Sequence, residues 1–208
     1  MILVSGYEGF IGKKLCKKLT NWCCSPPDIC TPSFHKVEGV IHLAAISSWK
    51  DAERDKVECV RVNVLGTATM LEYARLNKAW FIYVTTTEEH SFYSLTKRMG
   101  EELCHYYATN YGMKVVVLRL GNIYGGGSKR YVSMLMKKAR EGKQVRVKNP
   151  NWILRPIHIS KVVEKVVWYA THMGEVSGYQ VESVCGERVT SREFMQKMRR
   201  KYGKCNHS

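Results

Sequence analysis

Apolar positions along the chain alternate between two rhythms. A short apolar run at residues 2–4 is followed by Gly6-Tyr-Glu-Gly9-Phe-Ile-Gly12. Phe10, Ile11, Leu15 and Leu19 then fall at helical spacing, with Lys13, Lys14, Lys17 and Lys18 on the opposite face. This reads as strand, glycine turn, helix. Residues 22–36 hold three prolines and three cysteines without a clear period, predicting a loop or a much-shortened element. Residues 39–45 read as a buried strand. Residues 58–76, through Val62, Val64, Leu65, Ala68 and Leu71, read as a helix. A strand over 80–85, a helix over 94–111 stopped by Gly112 and a strand over 114–120 follow. Beyond Gly125-Gly-Gly127 the pattern predicts a helix near 131–141, a strand near 144–148, a helix near 159–171, a strand near 179–184 and a helix near 191–202. Ser191 is the expected N-cap of that last helix, with Glu193 in its first turn. Strict strand–helix alternation to about residue 120 predicts an α/β fold built on a doubly wound parallel sheet. Residues 1–125 form that unit, and residues 126–208 form a reduced lobe packed on it.

Length and composition narrow this picture. A chain of 208 residues suits one domain, or one domain with a small second lobe. Hydrophobic residues at 45% and charged residues at 25% exclude disordered and collagen-like classes. No apolar run is long enough to span a membrane. Strand residues start at position 2 without a basic leader, so a cytoplasmic location is expected. The net charge of +15 predicts attraction to polyanions: nucleic acid, anionic membrane or phosphorylated metabolites. The eight cysteines are expected as reduced thiols. Cys23, Cys24, Cys30 and His35 match no zinc spacing, so no metal site is expected.

Two motifs carry chemistry. In the glycine turn, Gly6 permits the tight bend, Gly9 lets the backbone approach a pyrophosphate, and Gly12 allows close helix–strand packing. The helix that follows offers its positive dipole end to phosphates. Tyr93 and Lys97 are spaced i, i+4 on one helix face. An ammonium beside the phenol lowers its pKa and suits Tyr93 to acid–base work. Thr85-Thr86-Thr87, just upstream, supplies hydroxyls that could orient a substrate oxygen.

The whole set resembles the extended short-chain dehydrogenase/reductase family, the NAD-dependent epimerase/dehydratases of nucleotide sugars. The matching segments run in family order: Gly6 to Gly12, His42-Leu-Ala-Ala45, Asn63-Val-Leu-Gly-Thr67, Tyr83-Val-Thr-Thr86, Tyr93-x-x-x-Lys97, Arg119-Leu-Gly-Asn-Ile-Tyr-Gly125, Arg155-Pro-Ile-His158 and the segment near 178–193. The resemblance implies a Rossmann-like sheet with a small C-terminal substrate lobe. Gly6, Gly9, Phe10, Ile11 and Gly12 would meet the pyrophosphate of NAD, with NADP also open. Ala44 and Ala45 would line the cofactor cleft, and Asn63 would support it. Asp28 of the Asp28-Ile29 pair would contact adenine. Thr86, Tyr93 and Lys97 would be the catalytic set, Lys97 also holding nicotinamide ribose. Thr86, Thr87, Glu88, Asn122 and Arg155 would meet the sugar nucleotide, the last two at its diphosphate.

Three departures stand out. Only 29 residues separate Gly12 from His42, so the second strand and its helix are cut down and a ribose-binding acid is missing. Thr86 and Tyr93 lie seven positions apart, so the loop between them is short. The substrate lobe is short too, and Ser160 or Lys161 stands where the family usually has an aspartate. The implied activity is epimerase or 4,6-dehydratase chemistry through a 4-keto sugar. Thr86-Thr87-Glu88 resembles the dehydratases, with Glu88 as base at C5. Two alternatives stay open: an RNA- or nucleotide-binding protein on the same fold, and a trimmed, non-catalytic relic. The resemblance also implies a homodimer formed through the helix carrying Tyr93 and the one before it.

Overall fold

The computed structural model describes every residue except 27, 31–35, 129, 144–146, 148 and 203–208. The strand expected near 144–148, and His35, therefore fall largely or wholly outside the described residues. Six strands form one parallel sheet: β1 (Ile2–Ser5), β2 (Trp22–Cys24), β3 (Gly39–His42), β4 (Trp80–Thr86), β5 (Val115–Leu120) and, from much later in the chain, a strand over Tyr179–Val184. Their spatial order places β2 at one edge, then β1, β3, β4, β5 and the late strand. Successive residues of β5 alternate faces. Val116 and Leu118 pack with Val4, Ile41 and Ile82 on one side, and Val115 and Val117 pack with Leu3, Val40 and Phe81 on the other. Helices cover both faces, which is why these strands read as near-continuous apolar runs.

One face is covered by α1 (Gly12–Leu15) and by a helix over Ile159–Thr171. The other is covered by α4 (Gly66–Leu76) and α5 (Phe92–Tyr111). Two short helices, α2 (Trp49–Arg54) and α3 (Lys56–Val60), precede α4, and a π-helical stretch over Arg61–Leu65 joins α3 to it. The helix expected over 58–76 thus starts earlier than its apolar spacing indicates. Its start is set by Asp55, whose carboxylate accepts the Glu58 N–H. α1 is shorter than expected, although Leu15 and Leu19 still face the core. α5 is capped by a reciprocal pair, Ser91 and Ser94, and ends at Gly112 with φ +64°.

The remaining elements are β6 (Asn122–Tyr124), α6 (Tyr131–Arg140), β7 (Ile153–Leu154), β8 (Pro156–His158), α7 (the Ile159–Thr171 helix), β9 (the Tyr179–Val184 strand), β10 (Val189–Thr190) and α8 (Ser191–Tyr202). The chain returns to the main sheet through α7 and β9. A separate small core holds α6 and α8 together: Val132, Leu135, Ala139, Leu154, Phe194 and Met195. The α8 cap is Thr190 rather than Ser191. Thr190 Oγ1 accepts from the Glu193 N–H at 3.1 Å, and the Glu193 carboxylate accepts from the Thr190 N–H at 2.7 Å. Ser191 donates instead to the Trp152 carbonyl.

Of the two alternatives for residues 22–36, a much-shortened element is found: β2 is a three-residue strand in parallel register with β1, from Trp22 opposite Ile2 to Cys24 opposite Val4. Among the described residues the sheet ends there, one strand short of the six-stranded dinucleotide-binding order on that side. The chain order reverses between β1 and β3, and a crevice at the carboxyl ends of such a switch point is where open α/β sheets bind ligands.

Candidate active site

The glycine turn is wedged into that switch point. Gly6 has φ +69°, and a Cβ there would press on the Ala44 backbone N at 2.6 Å. A Cβ at Gly12 would collide with the Gly6 and Tyr7 backbone. Gly9 is different: its Cβ would meet only the Gly6 carbonyl, at 3.0 Å, and the residue is exposed. The chain's own packing therefore demands Gly6 and Gly12, while Gly9 leaves open surface. Ala44 is held against the turn because its N–H and that of Leu43 both donate to Ser5 Oγ, at 3.3 and 3.2 Å. Beside the turn, Asp28, Ile29, Ala44, Arg61 and Val62 line a 370 Å³ pocket. The Cys30 N–H and the Arg61 guanidinium (3.2 Å) hold the Asp28 carboxyl below its usual range. Arg61 also forms a two-pronged pair with Glu58. Asp28-Ile29 was legible as a pair, but Arg61, 33 positions on, was not.

A chain of buried polar groups runs from under the turn to the start of α5. Ser5 Oγ, already accepting two N–H groups, donates to His42 Nδ1 at 2.6 Å. His42 Nε2 stands 3.1 Å from Thr67 Oγ1, which donates to the Asn63 carbonyl at 2.7 Å. Burial, together with the Lys97 charge, pushes His42 down to about 3, so it is neutral and can serve as this relay. The Asn63 carboxamide accepts the Ile46 N–H at 2.8 Å and donates to Thr96 Oγ1 at 2.9 Å. Thr96 in turn donates to the Tyr93 carbonyl at 2.8 Å. Asn63 thus fixes the loop after β3 to the turn of α5 that carries Tyr93. It sits in the π-helical stretch, a geometry often found at functional sites.

Tyr93 and Lys97 lie on the first two turns of α5, and Thr86 ends the neighbouring β4. Thr86 Oγ1 accepts the Glu88 N–H at 3.1 Å, leaving its own proton free to donate. Lys97 is 2% exposed, with Nζ 4.1 Å from the centroid of the Tyr83 ring. Burial pushes Lys97 down to about 7, against the pull of Cys104, Glu101 and Cys59. The sequence expectation that Lys97 lowers the Tyr93 phenol needs correction. Burial raises that phenol to about 12, the Glu88 charge adds to the rise, and the cation opposing it is Arg130. Arg130 also donates to Ser47 Oγ at 3.1 Å, from beyond the glycine stretch to the loop after β3. Nothing local in the sequence marks this contact across 83 positions.

Other expected site residues have structural partners. Thr87 Oγ1 donates to the Leu120 carbonyl. Asn122 Oδ1 accepts the Arg155 N–H at 2.8 Å, and the Asn122 N–H donates to the Arg155 carbonyl, tying β6 to the start of β8. The Arg155 guanidinium points to Cys185 Sγ at 3.8 Å. Ser160, at the start of α7, bonds to His158 Nδ1 at 2.8 Å. Cys16, Cys23, Cys24, Cys30, Cys59, Cys104 and Cys185 are free thiols, and no metal-ligating cluster is found among the described residues.

Comparison with known proteins fits this architecture. The model of the NAD dependent epimerase/dehydratase family matches residues 28–181. A 3beta-hydroxysteroid dehydrogenase/Delta(5)-Delta(4) isomerase of Caenorhabditis elegans is 28% identical over 161 residues, covering 67% of this chain and 35% of that protein. UDP-glucuronic acid decarboxylase 6 of Arabidopsis thaliana is 25% identical over 218 residues, covering 78% of this chain and 64% of that protein. The chain therefore spans between a third and two thirds of the length of these relatives. The solved structure of MoeE5 in complex with UDP-glucose and NAD superposes with a TM-score of 0.82 at 20% identity, covering 97% of this chain and 82% of that one.

Proposed function

The chain belongs to the NAD dependent epimerase/dehydratase family, and from that premise we propose that it oxidises a nucleotide sugar with NAD, using Tyr93 as acid and base. The observation that carries this reading is one of placement. The glycine turn with Ala44 lies at the carboxyl ends of β1 and β3, and Thr86 ends the neighbouring β4, with Tyr93 at the start of the helix that follows. The resemblance in fold to a protein solved with UDP-glucose and NAD supports the same choice of ligands.

The residues present fit a dinucleotide. Gly9 leaves the open surface a pyrophosphate needs, beside Phe10, Ile11 and Gly12 at the start of α1. Asp28, Ile29 and Ala44 offer the adjoining pocket to an adenine, and Lys97 would hold the nicotinamide ribose. With no acid among the residues of β2, NADP is open as well. When bound, the cofactor accepts the hydride that leaves a sugar carbon. Tyr93, in its phenolate form, takes the proton of the hydroxyl on that carbon, leaving a keto sugar, and returns it when the carbonyl is reduced. Thr86 donates its free proton to the same oxygen. Arg130 supplies positive charge against the phenol that burial has raised. Glu88 favours the dehydratase branch over the epimerase branch. Its backbone is pinned on Thr86 and its charge bears on Tyr93, which suits a carboxylate base at the neighbouring carbon.

A second copy of the chain is the proposed partner at α3–α5. Val57 (82% exposed), Leu65, Met99 and Tyr106 leave an apolar face there, and a 560 Å³ groove runs between Val64, Met99, Leu103 and Tyr106. Size-exclusion chromatography should give twice 23.9 kDa. Offering UDP-glucose, UDP-glucuronic acid and dTDP-glucose with NAD or NADP, and following mass and NMR, tests the reaction. Loss of water marks the dehydratase and inversion at unchanged mass marks the epimerase. No conversion of any nucleotide sugar overturns the proposal.

A further inference from the structure

The excess of positive over negative charge is concentrated in the C-terminal part of the chain. Residues 126–208 carry 18 Lys and Arg against 6 Asp and Glu, whereas residues 1–125 carry 15 against 12. α6 and α8 lie side by side on their shared apolar core. At one end, Trp152 joins the two helix starts: its ring is 5.1 Å from that of Tyr131, and its carbonyl accepts the Ser191 N–H at 2.8 Å. At the other end, Arg140 stacks on the Tyr202 ring at 5.0 Å and donates to its hydroxyl at 3.1 Å. That contact gathers Lys137, Lys138, Arg140, Lys143, Arg199, Arg200 and Lys201 around the last turns of both helices.

Helix dipoles alone do not account for this corner. Each helix carboxyl end offers about half a negative charge, and Glu141, which pairs with Lys137 and Lys143, adds one more. Seven cations against roughly two negative charges leave about five in surplus around the ends of the two helices. Such a surplus repels itself unless a polyanion neutralises it. Aromatic surface is available at the opposite end of the same helix pair, since Trp152 is 37% exposed. The ten residues of α6 span about 15 Å, so one strand lying along the helix pair can reach from the cationic end to Trp152.

We propose that the α6–α8 face is a binding surface for single-stranded nucleic acid, with phosphates on the cationic corner and a base stacked at Trp152. Stacking is what favours nucleic acid over an anionic membrane, because a base offers the π-face and a lipid headgroup does not. No single segment of the sequence shows the site, since its halves lie about 60 residues apart and meet through Arg140 and Tyr202.

Fluorescence anisotropy with a 20-nucleotide poly-U RNA, titrated between 50 and 200 mM salt, tests the proposal. Wild type should bind with a steep salt dependence. The triple variant Arg199→Gln, Arg200→Gln, Lys201→Gln should lose at least tenfold in affinity. Its log–log salt slope should become shallower by about 2, near 0.7 for each phosphate that the variant no longer neutralises. Trp152→Ala should lose about 5- to 150-fold. Removing three cations elsewhere (Lys17→Gln, Lys18→Gln, Lys78→Gln) should leave affinity within twofold. Circular dichroism confirms that each variant is folded. Equal loss from both triple variants, or binding to vesicles containing phosphatidylserine but not to RNA, overturns the proposal.

Discussion

Between β1 and α5, Ser5, His42, Asn63, Thr67 and Thr96 are fully buried and bonded to one another. On α6 and α8 most of the charged side chains are cations facing water, and the buried core they share is six apolar residues. In the first region each polar group has a fixed partner, so removing one strands another in a low-dielectric interior. In the second, partners are solvent-exposed ion pairs such as Lys143–Glu141 and Lys137–Glu141, worth little individually. The first arrangement suits a site that must place a proton donor within a few tenths of an ångström. The second suits a surface that recognises charge without fixed geometry.

The comparison breaks most visibly at Tyr93. Tyr93→Phe removes one hydroxyl and keeps the ring, so turnover should fall by about two to four orders of magnitude with the melting temperature nearly unchanged. Full activity in the variant would remove Tyr93 from the chemistry. Next in size is Asn63→Leu, which leaves the Ile46 N–H and Thr96 without their partner. Urea unfolding should show a loss of about 2–4 kcal/mol, and a loss below about 0.5 kcal/mol would contradict the network's role.

Lys97 sharpens the contrast through pH. The unfolded chain keeps a lysine proton to about 10.4, while burial releases it near 7 in the folded protein. Unfolding therefore takes up a proton between those values. The stability of wild type relative to Lys97→Met should rise as pH climbs from 7 towards 10, by a few kcal/mol at most, and level off below 7. A difference that stays flat across that window would mean Lys97 is not held neutral by burial. The smallest effect belongs to the lobe: Glu141→Gln should change stability by less than about 0.5 kcal/mol, even though it breaks ion pairs with two lysines.

Sequence pattern read the sheet well because its strands are buried on both faces and its helices carry one apolar stripe. Gly112 and the glycine turn were legible for the same reason, each answering a local backbone demand. The strand pairs β6–β8 and β7–β10 were not, since segments of two or three residues acquire strand geometry only from partners far along the chain. The cap at Thr190 was legible in principle, as Thr190-Ser-Arg-Glu193 is a capping-box spacing, but the adjacent Ser191 satisfied the same rule by residue type. The spacing of Tyr93 and Lys97 on one helix was legible, whereas the ionisation expected of them was not. Spacing shows which groups share a helix, and burial, the largest cause of both shifts here, depends on the whole fold.

Calorimetric titration with NAD and with NADP, on wild type and on Gly9→Val, tests most directly whether the β1–β3 switch point is a dinucleotide site. Wild type should bind one of the two saturably, at one molecule per chain. Gly9→Val, whose side chain would stand on the open surface of the turn, should bind at least tenfold more weakly while staying folded. No heat from wild type with either dinucleotide, or equal affinity in Gly9→Val, would contradict the assignment.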